Sequence, residues 1–127
     1  MLGNSSDVSR CEFSAVLNVT VDYWPIHYST EIEYATVGLI DGPGNDLAAY
    51  HAAVLKLCSL LRHHTVLVHD HNGASQAVAV CIMTLHLLHR RGWTYWQEKI
   101  GREPHEAHKH AFNRMNWRLL TSVLEAQ

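Results

Sequence analysis

The pattern of hydrophobic and polar positions along the chain predicts short strands that alternate with helices. Three β-rich runs read as strands, at residues 13–20, 34–40 and 65–69. The run at 65–69 has an apolar centre, which is typical of a strand covered on both faces of a sheet. Such alternation favours an α/β fold with a central, mainly parallel sheet flanked by helices.

Helices are predicted between and after these strands. The first follows the loop formers at residues 41–45, with Asn45 or Asp46 as its cap. Its apolar stripe at helical spacing consists of Leu47, Tyr50, Val54, Leu57 and Leu61. A long apolar helix is predicted from about Ser75 to Arg91, ended by Gly92. Residues 93–127 read as two helices separated near residues 101–104.

Composition and charge narrow the class of protein. The chain has 127 residues, of which 47% are hydrophobic, so we expect one globular domain spanning residues 1–127. The net charge of -2 gives no reason to expect a nucleic-acid or membrane partner, and we predict neither. The three widely spaced cysteines suit a reducing compartment, which makes a cytoplasmic location the simplest interpretation. The oligomeric state stays open.

The segment that joins the third strand to the long helix predicts an anion-binding loop. A strand, a short loop with a glycine and a helix N-terminus turn backbone N–H groups inward, and the helix dipole adds positive potential. We call this segment the cradle loop; it consists of His69, Asp70, His71, Asn72, Gly73, Ala74, Ser75 and Gln76. The residue after the second strand, Asp41, is expected at the same edge of the sheet, because parallel strands end there together.

The cradle loop resembles the signature of the cysteine-dependent protein phosphatases. That signature has a histidine, a nucleophilic cysteine, five residues that include a glycine, and an arginine preceded by serine or threonine. This chain keeps His69, Gly73 and Ser75 in register. It has Asp70 in the nucleophile position and Gln76 in the arginine position.

The resemblance extends to the dual-specificity phosphatases and covers roughly residues 2–92. Residues 2–4 and 16–19 look like the start of such a domain, and Asp41 lies where the family keeps its general acid. The resemblance implies a protein tyrosine phosphatase-like fold with a central, mainly parallel sheet. The C-terminal third matches only loosely.

The two replacements change the chemistry that the resemblance implies. In the family a thiolate attacks phosphorus and the arginine holds two phosphate oxygens. A carboxylate is a far weaker nucleophile toward a phosphate dianion, and glutamine lacks the fork of donors. We therefore expect a pseudophosphatase with a binding or regulatory role, whose partner is a phosphoprotein or another protein. The alternative is a phosphatase for phosphoproteins or other phosphate esters, either an inactivated form of an active enzyme or a metal-assisted phosphohydrolase that uses Asp41 and Asp70.

Three site residues carry two interpretations each. Asp70 fills the cradle with its own carboxylate and takes the amide hydrogen bonds of a phosphate, or it points to solvent. Asp41 is a retained general acid, or it only makes the local hydrogen bonds of a turn. Ser75 touches the anion at position 70, or it is an ordinary helix cap.

The chain has eleven histidines, so metal binding has to be considered. The candidates are the triplet His69, Asp70 and His71 and the pairs His86 with His89 and His105 with His108. A zinc site needs three or four converging ligands, whereas two histidines on one helix are more often a solvated face. The family resemblance implies a structural role for His69. We predict no metal and no cofactor.

Overall fold

A computed structural model describes residues 2–4, 13–21, 31–71 and 75–127 of the chain. The strands are β1 (Leu2–Asn4), β2 (Ala15–Thr20), β3 (Glu33–Leu39) and β4 (Val66–Asp70). The helices are α1 (Leu47–Leu61), α2 (Gln76–His89), α3 (Trp93–Ile100), α4 (Glu106–Arg114) and α5 (Trp117–Ala126). Cys11 and the cradle-loop residues Asn72, Gly73 and Ala74 lie outside the described residues.

The described strands form one parallel sheet in the order β1-β4-β2-β3, which confirms the predicted fold class. Strands β2 and β4 occupy the middle, and every residue of both is buried. Side chains of β2 alternate between two apolar clusters: Leu17 faces the main core with the helices, and Val16 packs with Phe13 and Leu67. Strand β3 lies at an edge, where its residues are mostly exposed. No helix of the described residues is long and apolar enough to cross a membrane.

The helices differ from the prediction at several ends. Helix α1 begins after Asp46 as expected, although the Asp46 side chain makes no capping hydrogen bond. Helix α2 ends at His89 rather than Arg91, because Arg90 adopts a left-handed conformation with φ of 57° and its N–H bonds to the His86 carbonyl.

The prediction of two helices after residue 92 was wrong, because there are three. The chain breaks at Met115 and Asn116, and the Asn116 side chain caps α5 by accepting the N–H of Leu119 at 3.0 Å. The extra break folds α5 back so that Leu120 joins the main core. Trp93 is buried at the start of α3.

Candidate functional site

The carboxylate of Asp70 lies inside the fold and binds the N-terminus of α2. Asp70 is the last residue of β4 and is 1% exposed. Its Oδ2 accepts the backbone N–H of Ser75 at 3.3 Å and that of Ala77 at 3.0 Å. The first N–H groups of a helix have no partner within the helix, so a carboxylate placed there is stabilised by both hydrogen bonds and the helix dipole. Asp70 therefore does not point to solvent.

Ser75 connects the two carboxylates of the site. Its hydroxyl donates to Oδ1 of Asp41, while its backbone N–H is bound to Asp70. The hydroxyl oxygen also accepts the N–H of His105 at 2.9 Å, just before α4. The Ser75 side chain makes no capping bond to α2, so the interpretation as an ordinary cap was wrong. One side chain thus ties together the loops that follow β3 and β4 and the start of α4.

The side chain of Gln76, at the arginine position, binds the backbone of β3. It is 8% exposed, and its Nε2 donates to the carbonyl of Leu39 at 3.4 Å. The amide joins the first turn of α2 to the carboxyl end of β3. It carries no charge, so it supplies no electrostatic attraction for an anion.

Asp41 is not the residue that makes the local hydrogen bonds of its turn. Asn45 makes them instead: its Oδ1 accepts the N–H of Ile40 at 2.8 Å, and its Nδ2 donates to the Ile40 carbonyl at 2.8 Å. Asp41 accepts from Ser75 and from Nε2 of His108, at 3.1 Å in the second case. The interpretation of Asp41 as a plain turn residue was therefore wrong.

A directed chain of hydrogen bonds holds Asp41 as an acceptor. Nδ2 of Asn45 donates to the Tyr50 hydroxyl at 3.2 Å, so the Tyr50 proton is directed to Nδ1 of His108 at 2.7 Å. His108 then carries its proton on Nε2, which faces Asp41. Burial lowers the pKa of His108, and the hydrogen bond to Asp41 offsets part of that shift. The neutral imidazole and the Ser75 hydroxyl both donate to Oδ1 of Asp41, which fixes the orientation of this carboxyl group.

His108 is the site residue that sequence reasoning missed. The expectation for His105 and His108 was a solvated helix face, yet His108 is 0% exposed. Its partner Asp41 lies 67 positions earlier, and nothing local in the sequence indicates that contact. His105 is exposed, as expected, and its Nδ1 accepts the N–H of Ala107 at the start of α4.

His69 and His71 lie on either side of Asp70 in different surroundings. His69 is 0% exposed, and within the described residues neither ring nitrogen makes a hydrogen bond of ordinary geometry. Burial lowers the pKa of His69, partly offset by the backbone and carboxylate of Asp70. His71 is exposed. In the described part of the chain, no group of three or more His, Cys, Asp or Glu side chains is placed to hold a metal ion.

Comparison with solved structures identifies the fold. The structure of DUSP15 superposes with a TM-score of 0.83 at 17% identity, covering 99% of this chain and 90% of that one. Human DUSP28 gives 0.74 at 20% identity, covering 100% and 94%. The human tyrosine phosphatase-like serine/threonine/tyrosine-interacting protein gives 0.73 at 16% identity, covering 89% and 87%. No protein-family model and no curated protein sequence matches the chain. The chain has the dual-specificity phosphatase fold.

Proposed function

We propose that this chain is a pseudophosphatase, a protein with the dual-specificity phosphatase fold that binds or regulates another protein without hydrolysing phosphate esters. The observation that carries the proposal is the position of Asp70. Its carboxylate takes the N–H groups of Ser75 and Ala77 at the start of α2, the kind of donors that an incoming phosphate requires. An anion that approaches this site meets a fixed negative charge.

The arginine position supports the same proposal. Catalysis by this fold needs a cation that stabilises the transferring phosphoryl group, and Gln76 provides none. Loss of a single transition-state donor already costs about 3 kcal/mol of barrier. Two unsuitable groups in one site, at positions 70 and 76, therefore favour a binding role.

One structural neighbour supports a binding role by its name. The human protein with the TM-score of 0.73 is called phosphatase-like and interacting. For the present chain we propose a protein partner, phosphorylated or not, and a cytoplasmic location. Because the Asp70 carboxylate binds the N–H groups of Ser75 and Ala77, we propose that the partner is recognised outside the cradle loop.

Turnover of an aryl phosphate tests the proposal. The chain should release no more phenol than a boiled control, with or without Mg²⁺. Asp70→Cys combined with Gln76→Arg is the matched positive control, because it returns a thiol and a guanidinium to the positions of a competent loop. Metal-independent turnover by the natural chain would overturn the proposal, and Mg²⁺-dependent turnover that is lost in Asp70→Asn would favour a metal-assisted phosphohydrolase instead.

A further inference from the structure

A cavity of about 320 Å³ lies between the loop that follows β3 and helix α4. Its volume is within the range of about 300–1,000 Å³ that is typical of small-ligand sites. The residues that line it include Leu47, Tyr50, His105, Ala107, Ala111 and Arg114. None of the described lining residues belongs to the cradle loop, so this site is distinct from the one that Asp70 occupies.

The walls of the cavity are fixed by hydrogen bonds. On one side Asn45 binds the backbone of Ile40 through both ends of its amide. On the floor, the buried Tyr50 is held between Asn45 and His108. A site with walls of this kind requires little ordering when a ligand binds, which favours affinity for small ligands.

Two side chains of the lining, His105 and Arg114, can donate hydrogen bonds to a ligand, and Arg114 adds a positive charge at one end of the cavity. Nδ1 of His105 accepts the N–H of Ala107, so the proton of the neutral ring lies on Nε2. That Nε2 is 4.0 Å from the position a side chain at Gly42 would take, and it therefore faces the cavity. Glu106 is paired with His110 at 3.4 Å. Arg114 is exposed and makes no ion pair among the described residues.

We propose that this cavity binds a short extended peptide segment of a protein partner, with an acidic side chain at Arg114 and a backbone carbonyl at His105. The two donors lie at opposite ends of α4, which has nine residues. They are therefore about 13 Å apart along the helix axis, the length of about four extended residues. Leu47, Tyr50 and Ala111 supply apolar lining to the same cavity, which suits an aliphatic side chain of the peptide.

The probe for this site is acetyl-Ala-Leu-Ala-Glu-amide, compared with the same peptide ending in Gln-amide. Both are titrated into the full chain while the methyl resonances of Ala107 and Ala111 are followed by NMR. The Glu peptide should give saturable shifts at these methyl groups. The affinity of the Gln peptide should be lower by a factor of at least about ten, because this peptide loses a charge-assisted hydrogen bond.

Four variants make the result specific. Arg114→Glu should weaken the Glu peptide by about tenfold or more, and Ala107→Leu should weaken both peptides by filling the cavity. Arg118→Glu reverses an exposed arginine on α5 outside the cavity and should bind like the natural chain. Asp70→Ser should also keep the binding, so this result does not depend on the cradle loop.

The peptide site is contradicted by any of three results. These are no saturable shift up to about 10 mM of the Glu peptide, equal affinities of the Glu and Gln peptides, or equal weakening by Arg114→Glu and Arg118→Glu. If Arg114→Glu fails to fold, the site is still tested by the difference in affinity between the Glu and Gln peptides and by the weaker binding expected for Ala107→Leu.

Discussion

The hydroxyl of Ser75 donates a hydrogen bond to the carboxylate of Asp41, 34 positions earlier in the chain. The same residue binds Asp70 through its backbone N–H and accepts the N–H of His105. A serine at the start of a helix normally caps that helix with its own side chain. Here the Asp70 carboxylate binds the helix N-terminus, and the serine side chain is available to join three segments.

Ser75→Ala should lower the free energy of unfolding by about 1–2 kcal/mol, because Asp41 and the His105 N–H each lose a partner. Ser59→Ala is the matched control, since Ser59 is exposed within α1 and alanine is the better helix former there. Urea denaturation of both variants measures the difference. Equal stabilities of the two variants would show that the contacts of Ser75 contribute nothing.

Tyr50→Phe should be destabilising although it leaves the shape of the core almost unchanged. The variant removes the hydroxyl that receives a proton from Asn45 and donates one to His108. Both groups are then left without that partner, at a cost of about 1–3 kcal/mol. Tyr95→Phe is the control, because the Tyr95 hydroxyl makes no hydrogen bond within the described residues. A stability of Tyr50→Phe equal to the control would refute the directed chain to Asp41.

The stability of the fold should decrease in mild acid. Burial lowers the pKa of His69, and likewise those of His51, His86 and His108. As the pH falls below about 6.5, the unfolded chain takes up protons that the folded chain does not bind. The free energy of unfolding should therefore be constant just above that pH and decline below it.

The variant His69→Leu tests the contribution of one imidazole to this pH dependence. Leucine suits a buried position where neither ring nitrogen makes a hydrogen bond of ordinary geometry within the described residues. The slope of stability against pH between about 6.5 and 5 should become smaller, by at most about 1.4 kcal/mol per pH unit. Ser59→Ala, at an exposed position of α1 that carries no titratable group, should keep the slope of the natural chain. An unchanged slope in His69→Leu would contradict the assignment.

Much of the fold could be predicted because its signals are local. The continuous apolar run at β4 predicts a buried strand, and the apolar stripe that includes Tyr50 has the spacing of a helix, as α1 has. The break at Asn116 also has a local signal, an asparagine directly before an apolar helix, which a search for helix caps would detect. The hydrogen bond from His108 to Asp41 has no such signal in the sequence, because only tertiary packing brings these two side chains together.

The hydrogen bonds of Asp70 agree with the sequence prediction, whereas the contact of Gln76 does not follow from it. The register of the cradle loop placed Asp70 at the start of a helix, and helix termini attract anions, so a filled cradle followed from general principles. The direction of the Gln76 side chain did not follow. Its contact with Leu39 depends on the separation between α2 and β3, which the sequence pattern does not specify.

The occupation of the cradle by Asp70 is tested most directly by phosphate-dependent thermal stability. Asp70→Ser removes the carboxylate and leaves the N–H groups of Ser75 and Ala77 for an incoming anion. Asp46→Ser, an exposed aspartate before α1, is the matched control for the loss of one charge. At constant ionic strength, phosphate at about a hundred times its Kd would stabilise a binding variant by about 2.7 kcal/mol. We expect the Tm of Asp70→Ser to rise with phosphate while the natural chain and Asp46→Ser stay almost unchanged; an equal rise in the natural chain would contradict the claim that Asp70 fills the site.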